Sequence, residues 1–195
     1  MVPGIGERAR PLKLRAAHGA EINLQDYQGR NTVVLWFTKG MACAFCRQHM
    51  SQLARVYPTI RERGGEVLQV TPSPPERARF YARRFTLPFP YLCDPGHEAW
   101  EAWGLARRRH GPAYYAKALI AGLTESRPAN DFGSFGPSLS EIPSMLADDD
   151  MGFFVIDRDG LVRYALAGSY IDGAGARNIP GPDDVVRLVE RSAAA

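Results

Sequence analysis

The chain has 195 residues, of which 45% are hydrophobic and 10% aromatic, and its formal net charge is +3 at pH 7. This size and apolar content predict a single domain, residues 1–195, with a proper core, and the charge is too small to indicate a nucleic-acid partner. No apolar stretch is long enough for a signal peptide or a membrane span, so we expect a cytoplasmic protein that binds neither nucleic acid nor membrane.

The first half of the chain predicts alternating strands and helices. A short strand and a turn near Gly29 come before "TVVLWF", which is apolar on both faces and predicts an interior strand. The amphipathic helix after it ends near Gly64 and Gly65. "EVLQVTP" predicts the next strand, "SPPERARFYARRF" a helix with Ser73 as its cap, and "LPFPYLCDPG" an extended stretch before a short helix. This order favours an α/β fold with a parallel core.

The second half begins with a break in this pattern. From 106 to 150 the chain is interrupted by Gly, Ser, Pro and Asn, which indicates an insertion on the core with one helix near 114–123. Its stretch "ANDFGSFGPSLS" is a candidate lid over the site. "GFFVIDRDGLVRYALAG" then predicts two antiparallel strands with a turn at 158–160, and a C-terminal helix starts near Gly181 and Pro182.

The chemistry is indicated by Cys43 and Cys46, which lie at the predicted junction of strand and helix. Free backbone N–H groups and the positive end of the helix dipole stabilise a thiolate there, and such thiols fall from a pKa of about 8.5 to about 3.5–7.5. We therefore expect Cys43 to be the nucleophile and Cys46, one turn further in, to be the shielded resolving thiol. Three cysteines are too few for a disulfide framework in a reducing cytosol.

Other interpretations of these residues remain open. Cys43, Cys46 and His49 could bind zinc, but a structural zinc site needs four ligands, and the remaining candidates are scattered along the chain. Arg47 is expected to face solvent, although a cation beside the pair would favour the thiolate. Cys93 is expected either to be a small buried apolar residue or to act as a second resolving thiol.

Several stretches together, "VVLWFTKGMACAFCRQHM", "LPFPYLCDPG" and "FFVIDRDG", resemble the peroxiredoxin-like branch of the thioredoxin superfamily, the alkyl hydroperoxide reductase and thiol-specific antioxidant (AhpC/TSA) group. The resemblance runs from about Leu12 to Arg191, outside the insertion. It implies a thioredoxin-like fold, with a central mixed sheet flanked by helices and the insertion before the C-terminal hairpin. It also implies a peroxide or disulfide substrate, a thioredoxin or small-thiol electron donor, and no metal or organic cofactor; a homodimer is compatible with it.

The chain departs from the family pattern around the reactive cysteine. The family has a proline seven residues and a threonine or serine three residues before it, where this chain has Trp36 and Gly40, and an arginine where it has Met151. In the family these groups align the peroxide and stabilise the leaving oxygen, so other groups must supply that help here. As supporting residues we single out Thr38, Gly40 and Arg47; Arg163 or an arginine of the insertion is a further candidate for the missing cation.

The function that these residues predict is thiol-dependent reduction of peroxides. The Cys43 thiolate is expected to form a sulfenic acid, with which Cys46 condenses to a disulfide that a thiol donor reduces. The alternative is a thioredoxin-like protein disulfide reductase that uses the same pair by mixed-disulfide exchange. A second alternative is a non-enzymatic zinc-binding or interaction module, and a thiol pair without activity on the same scaffold also stays open.

Overall fold

The computed structural model describes residues 1–41, 43–108, 132, 148–169 and 178–193. The predicted helix near 114–123 and the candidate lid therefore lie outside the described residues, apart from Phe132. Within the described ranges, no helix has the length and apolar character needed to cross a membrane. In chain order the elements are β1 (Lys13–Ala16), β2 (Glu21–Asn23), a 3-10 helix (Leu24–Tyr27), β3 (Thr32–Phe37), α1 (Ala44–Glu62), β4 (Gly65–Thr71), α2 (Pro75–Arg84), β5 (Tyr91–Cys93), α3 (Glu98–Ala102), β6 (Arg107–Arg108), β7 (Asp148–Asp149), β8 (Met151–Ile156), β9 (Val162–Gly168) and α4 (Pro182–Ala193).

Seven of these strands form a mixed sheet in the order β2-β1-β5-β4-β3-β8-β9. β3 is parallel to β4, and β4 to β5, while β8 is antiparallel to both β3 and β9. The parallel core and the C-terminal hairpin predicted from the sequence are thus present. β1 has no counterpart in the sequence prediction, because it is short and its exposed charged residues give no apolar run.

Both faces of the central strand are covered, as its apolar sequence predicts. All six side chains of β3 are buried. Trp36 packs in the cluster that includes residues of α1 and α4, whereas Phe37 points to the other face, where its ring contacts Trp100 and Trp103. β3 is therefore an interior strand, and the loop that leaves its carboxyl end leads to the cysteine pair at the start of α1.

The predicted cap of α2 is wrong. The helix begins at Pro75 with Pro74 as its N-cap residue, not Ser73. The Ser73 hydroxyl instead accepts a hydrogen bond from Thr71 Oγ1 at 3.0 Å, and the Ser73 N–H donates to the same Oγ1 at 3.2 Å. With Ser73 as the cap, Pro75 would be the second helical residue and would offer no N–H to the serine oxygen. The serine instead fastens the loop after β4 through Thr71.

The two ends of the predicted insertion lie side by side. β6 and β7 pair as a two-stranded antiparallel ribbon. At the residues next to this ribbon, the Asp150 N–H donates to the Ala106 carbonyl at 2.9 Å, and the Trp100 indole N–H donates to the Asp150 carbonyl at 2.9 Å. His97 Nε2 lies 3.3 Å from Asp149 Oδ2 in a buried pair. The insertion therefore leaves and rejoins the core at one place, immediately before β8.

Candidate active site

The cysteine pair lies at the start of α1. Cys43 is the N-cap residue of the helix, and Cys46 is in its first turn. Cys43 is partly exposed, whereas Cys46 is 0% exposed. Both are free thiols in this structure, as is Cys93. An accessible thiol followed by a shielded one is the arrangement that an attacking and a resolving cysteine require.

The surroundings of Cys43 favour its thiolate form. A hydrogen bond from the Cys46 side chain makes the largest contribution and lowers the pKa of Cys43, while burial acts against it. The positive charge of Lys39 and the backbone N–H groups of Cys46 and Phe45 lower the pKa further, to about 6. Cys43 is therefore mainly a thiolate at neutral pH, which is the nucleophilic form of cysteine.

Lys39 is a site residue that the sequence analysis does not single out. It lies four residues before Cys43 and is only 8% exposed. A lysine is seldom buried to this extent without an anionic or polar partner, and its charge acts on the Cys43 thiol. A lysine between a buried strand and a C-x-x-C motif was the sequence signal that could have identified it.

The expectation that Arg47 faces solvent is wrong. Arg47 is 5% exposed, and its Nη1 donates to the Met41 carbonyl oxygen at 2.5 Å. The reason is helical spacing: Arg47 lies four residues after Cys43 and three before the buried Met50, so it shares their face of α1. Its guanidinium fixes the loop that precedes the cysteine.

The turn that leads to the cysteine requires glycine and uses Thr38. Gly40 has a φ of +78°, and a Cβ atom there would meet the Thr71 side-chain oxygen and lie 2.6 Å from the Tyr91 hydroxyl. Thr38 Oγ1 accepts hydrogen bonds from the Gly40 N–H at 2.8 Å and from Gln69 Nε2 at 3.1 Å. Thr38 is fully buried and supports the turn.

Tyr91 holds the same loop from the neighbouring strands. Its hydroxyl accepts a hydrogen bond from the Met41 N–H at 3.1 Å and donates to Thr71 Oγ1 at 3.2 Å. Burial raises the pKa of Tyr91, so the hydroxyl keeps its proton and can make both contacts. Sequence reasoning missed Tyr91 and Thr71, because only the pairing of β4 with β5 brings them to a loop so far away along the chain.

Comparison with known proteins decides the family. The AhpC/TSA family model matches residues 5–165. The chain belongs to this family. It is 27% identical over 113 residues to peroxiredoxin Bcp of Bacillus subtilis, an alignment that covers 56% of this chain and 71% of that protein. It is also 27% identical over 101 residues to the thiol-disulfide oxidoreductase ResA of Halalkalibacterium halodurans, covering 51% of this chain and 56% of the relative.

Solved structures agree on the fold. The peroxidoxin BcpB structure from Mycobacterium tuberculosis superposes with a TM-score of 0.63 at 15% identity, covering 97% of both chains. The thioredoxin-like fold and the peroxiredoxin-like resemblance inferred from the sequence are both confirmed. This AhpC/TSA protein has Lys39, Gly40 and Met151 around the cysteine pair, and Met151 is fully buried in the same apolar cluster as Cys46.

Two remaining candidate residues of this AhpC/TSA protein contact other groups. His49 packs its ring edge-on against Trp36, with 6.3 Å between the ring centroids. Arg163 Nε donates to Asp157 Oδ2 at 2.5 Å, near the hairpin turn and thus at the opposite end of the sheet from Cys43. In the described ranges, no group of three or more His, Cys, Asp or Glu side chains could hold a metal ion.

Cys93 is buried in the core at 6% exposure. Burial raises the pKa of its thiol to about 11, against a smaller opposing effect of the Arg79 charge. Cys93 is therefore a neutral thiol at neutral pH, with little nucleophilic character.

We expect the alkylation rate of Cys43 by iodoacetamide to rise between about pH 5 and 7 and then level off, because the thiolate is fully formed above its low pKa. An unperturbed thiol would continue to gain reactivity to about pH 9. Cys46→Ala removes the hydrogen-bond donor and Lys39→Met removes the charge, so each should move the midpoint to higher pH. Lys13→Met, at an exposed lysine, is the control and should leave it unchanged. A wild-type midpoint near pH 8.5 would contradict this account.

Gly40→Ala should lower the free energy of unfolding by about 2 kcal/mol or more, since it combines an unfavourable φ with contacts to Thr71 and Tyr91. Gly29→Ala is a matched control, because Gly29 has a φ of +73° but nothing within 4 Å of the added Cβ. Urea unfolding of both variants separates the two effects. Equal losses would show that the contacts around Gly40 contribute nothing.

Proposed function

We propose that this AhpC/TSA protein is a peroxiredoxin-like thiol peroxidase that works through a Cys43/Cys46 dithiol-disulfide cycle. The observation that carries the proposal is the partly exposed Cys43, with a pKa lowered to about 6 and a hydrogen bond from the buried thiol of Cys46. Membership of the AhpC/TSA family and the likeness to peroxiredoxin Bcp support it.

In the first step, the Cys43 thiolate attacks one peroxide oxygen. The S–O bond forms as the O–O bond breaks, and the other oxygen leaves as hydroxide or alkoxide and takes up a proton. The sulfur loses two electrons and becomes a sulfenic acid, while the peroxide is reduced to water or an alcohol. The charge of Lys39, which acts on Cys43, stabilises the negative charge on the leaving oxygen. Lys39 thus replaces the family's missing threonine and arginine.

In the second step, the sulfur of Cys46 attacks the sulfenic sulfur, and the S–S bond forms as the S–O bond breaks. The departing hydroxide takes up the proton that the Cys46 thiol gives up and leaves as water. Cys46 is well placed for this step, because its side chain already hydrogen-bonds to Cys43. A dithiol donor then reduces the disulfide by exchange and is itself oxidised. We propose thioredoxin or small thiols as this donor and the cytoplasm, a reducing compartment, as the place where the cycle runs.

The proposal predicts a fast fluorescence change when fully reduced protein is mixed with hydrogen peroxide or tert-butyl hydroperoxide in a stopped-flow instrument. Trp36, in the same core cluster as Cys46, is expected to report the reaction. Cys43→Ser should abolish the change, Cys46→Ser should keep the first phase and accumulate sulfenic acid, and Cys93→Ser is the control that should react normally. Oxidation no faster than that of a free thiol with the same pKa would refute peroxidase activity.

The role of Lys39 can be separated from its effect on the pKa. At about pH 8.5 Cys43 is a thiolate even when its pKa has returned part of the way to the ordinary value. Under these conditions Lys39→Met should still slow peroxide reduction by about 10²-fold, as expected for the loss of one group that stabilises a developing anion. Lys39→Arg should restore much of the rate. A normal rate for Lys39→Met at this pH would show that Lys39 acts only by lowering the pKa of Cys43 and does not stabilise the leaving oxygen.

A second candidate function is disulfide reduction. The observation that favours it is the C-x-x-C spacing at a helix start, together with the likeness to ResA, which is named a thiol-disulfide oxidoreductase. In that case Cys46→Ser should trap a mixed disulfide when Cys43 attacks a disulfide-containing substrate such as insulin, in place of the sulfenic acid. Mass spectrometry of the Cys46→Ser variant after exposure to each substrate distinguishes the two activities.

A further inference from the structure

One side of α2 presents arginines around an aromatic ring. Its exposed side chains line a shallow groove of about 470 Å³, and they are Glu76, Arg79, Phe80, Arg83 and Arg84. These positions follow helical spacing, which places them on the same side of the helix. We call this set of five residues the α2 face.

The net positive charge of the chain is concentrated in this helix. α2 contains four arginines and one glutamate, a formal charge of +3, which equals the formal net charge of all 195 residues. The rest of the chain is therefore neutral on balance. A local excess of positive charge attracts an acidic partner. A second copy of the chain is a poor partner for the α2 face, because a symmetric contact would place arginines against arginines.

The aromatic ring of the α2 face is held in place by its neighbours. Phe80 is 42% exposed and packs edge-on against the buried Tyr81, with 5.6 Å between the ring centroids. The guanidinium carbon of Arg77 lies 5.1 Å from the Phe80 ring centroid, and Arg77 Nη2 donates to the Tyr81 hydroxyl at 3.0 Å. An exposed ring that is already ordered loses little conformational entropy when it is covered, so it suits an interface anchor.

The chemistry of the α2 face fits a protein partner. Aromatic residues and arginine are enriched in protein–protein interfaces, and arginine binds carboxylates through two parallel hydrogen bonds. A nucleic acid fits less well, because the Glu76 carboxylate repels phosphates and the rest of the chain adds no net positive charge. We propose that the α2 face binds an acidic segment of a partner protein, with carboxylates on both sides of an apolar side chain that packs on Phe80. This surface is independent of the proposed peroxidase cycle, since it includes neither cysteine of the pair.

Nuclear magnetic resonance of the reduced, ¹⁵N-labelled full chain tests the proposal with the synthetic peptide acetyl-Glu-Asp-Glu-Leu-Glu-Asp-Glu-amide at low salt. The amide signals of Arg79, Phe80 and Arg83 should shift in a saturable manner. Binding should weaken as sodium chloride is added, because ion pairs between exposed groups are screened. A neutral peptide, with glutamine and asparagine in place of glutamate and aspartate, should bind about tenfold more weakly, as expected for the loss of several exposed ion pairs.

Matched charge reversals locate the contact. The double variant Arg79→Glu/Arg83→Glu should abolish binding of the acidic peptide. The control is Arg30→Glu/Arg158→Glu, at exposed arginines in the turns before β3 and after β8. It changes the net charge by the same amount and should bind the peptide almost as tightly as the wild type. Retained dispersion of the amide signals confirms that each variant is folded.

A truncation on each side tests the apolar contact. Phe80→Ala should weaken binding by about fivefold, the effect of losing one partly buried apolar contact. Replacing the leucine of the peptide with glycine should have the same effect, and the two changes together should cost no more than either alone, since both remove one contact.

Several outcomes would overturn the proposal: no saturable shift, equal binding of the neutral peptide, equal effects of the two double variants, or additive effects of the two truncations. Tighter binding of a thymidine decanucleotide to the same residues would also overturn it and would assign the α2 face to nucleic acid.

Discussion

The first turn of a helix has backbone N–H groups without intrahelical acceptors, and the site depends on which group meets them. In this chain Cys43 is the N-cap residue, where oxygen-bearing side chains are the usual choice, and the backbone N–H groups of Phe45 and Cys46 lower the pKa of its thiol. A thiolate is the form of cysteine that benefits from these donors and from the positive end of the helix. Two further features act on the same thiolate. The buried strand β3 leads into the loop that carries Cys43, and the positive charge of the buried Lys39 lowers the pKa of Cys43.

The peptide of Met41, two residues before Cys43, is held from two sides. Its N–H donates to the Tyr91 hydroxyl, and its carbonyl oxygen accepts from the Arg47 guanidinium. One of these partners belongs to the sheet and the other to α1, so the loop is fastened to both elements that frame the site. The approach to Cys43 is therefore set by buried hydrogen bonds, and the reduced protein needs no cross-link to define it.

The sequence was informative wherever a signal is local. The apolar run of β3, the helical spacing of α1 and the hairpin of β8 and β9 each depend on neighbouring residues, and the cysteine pair is recognisable from its motif and its flanks. The same reasoning failed for Arg47. Its charged side chain suggested exposure to solvent, but its position on the helix places it on the buried face. Ser73 was misassigned because its hydroxyl had a partner, Thr71, that the cap prediction did not consider. Tyr91 acts through contacts that arise only after the strands pair, so local patterns could not reveal it, whereas Lys39 lies four residues before Cys43 and could have been found from the motif.

Because the three thiols differ in accessibility and in pKa, one of them can be labelled selectively in the wild-type chain. Cys46 is fully buried, and Cys93 is buried with a thiol that stays protonated well above neutral pH, whereas Cys43 is accessible and ionised. At about pH 7 a maleimide dye or a spin label will therefore attach at one position, without any engineered cysteine. Distances from that position to partner proteins can be measured in the natural sequence, with the probe standing at the mouth of the site itself.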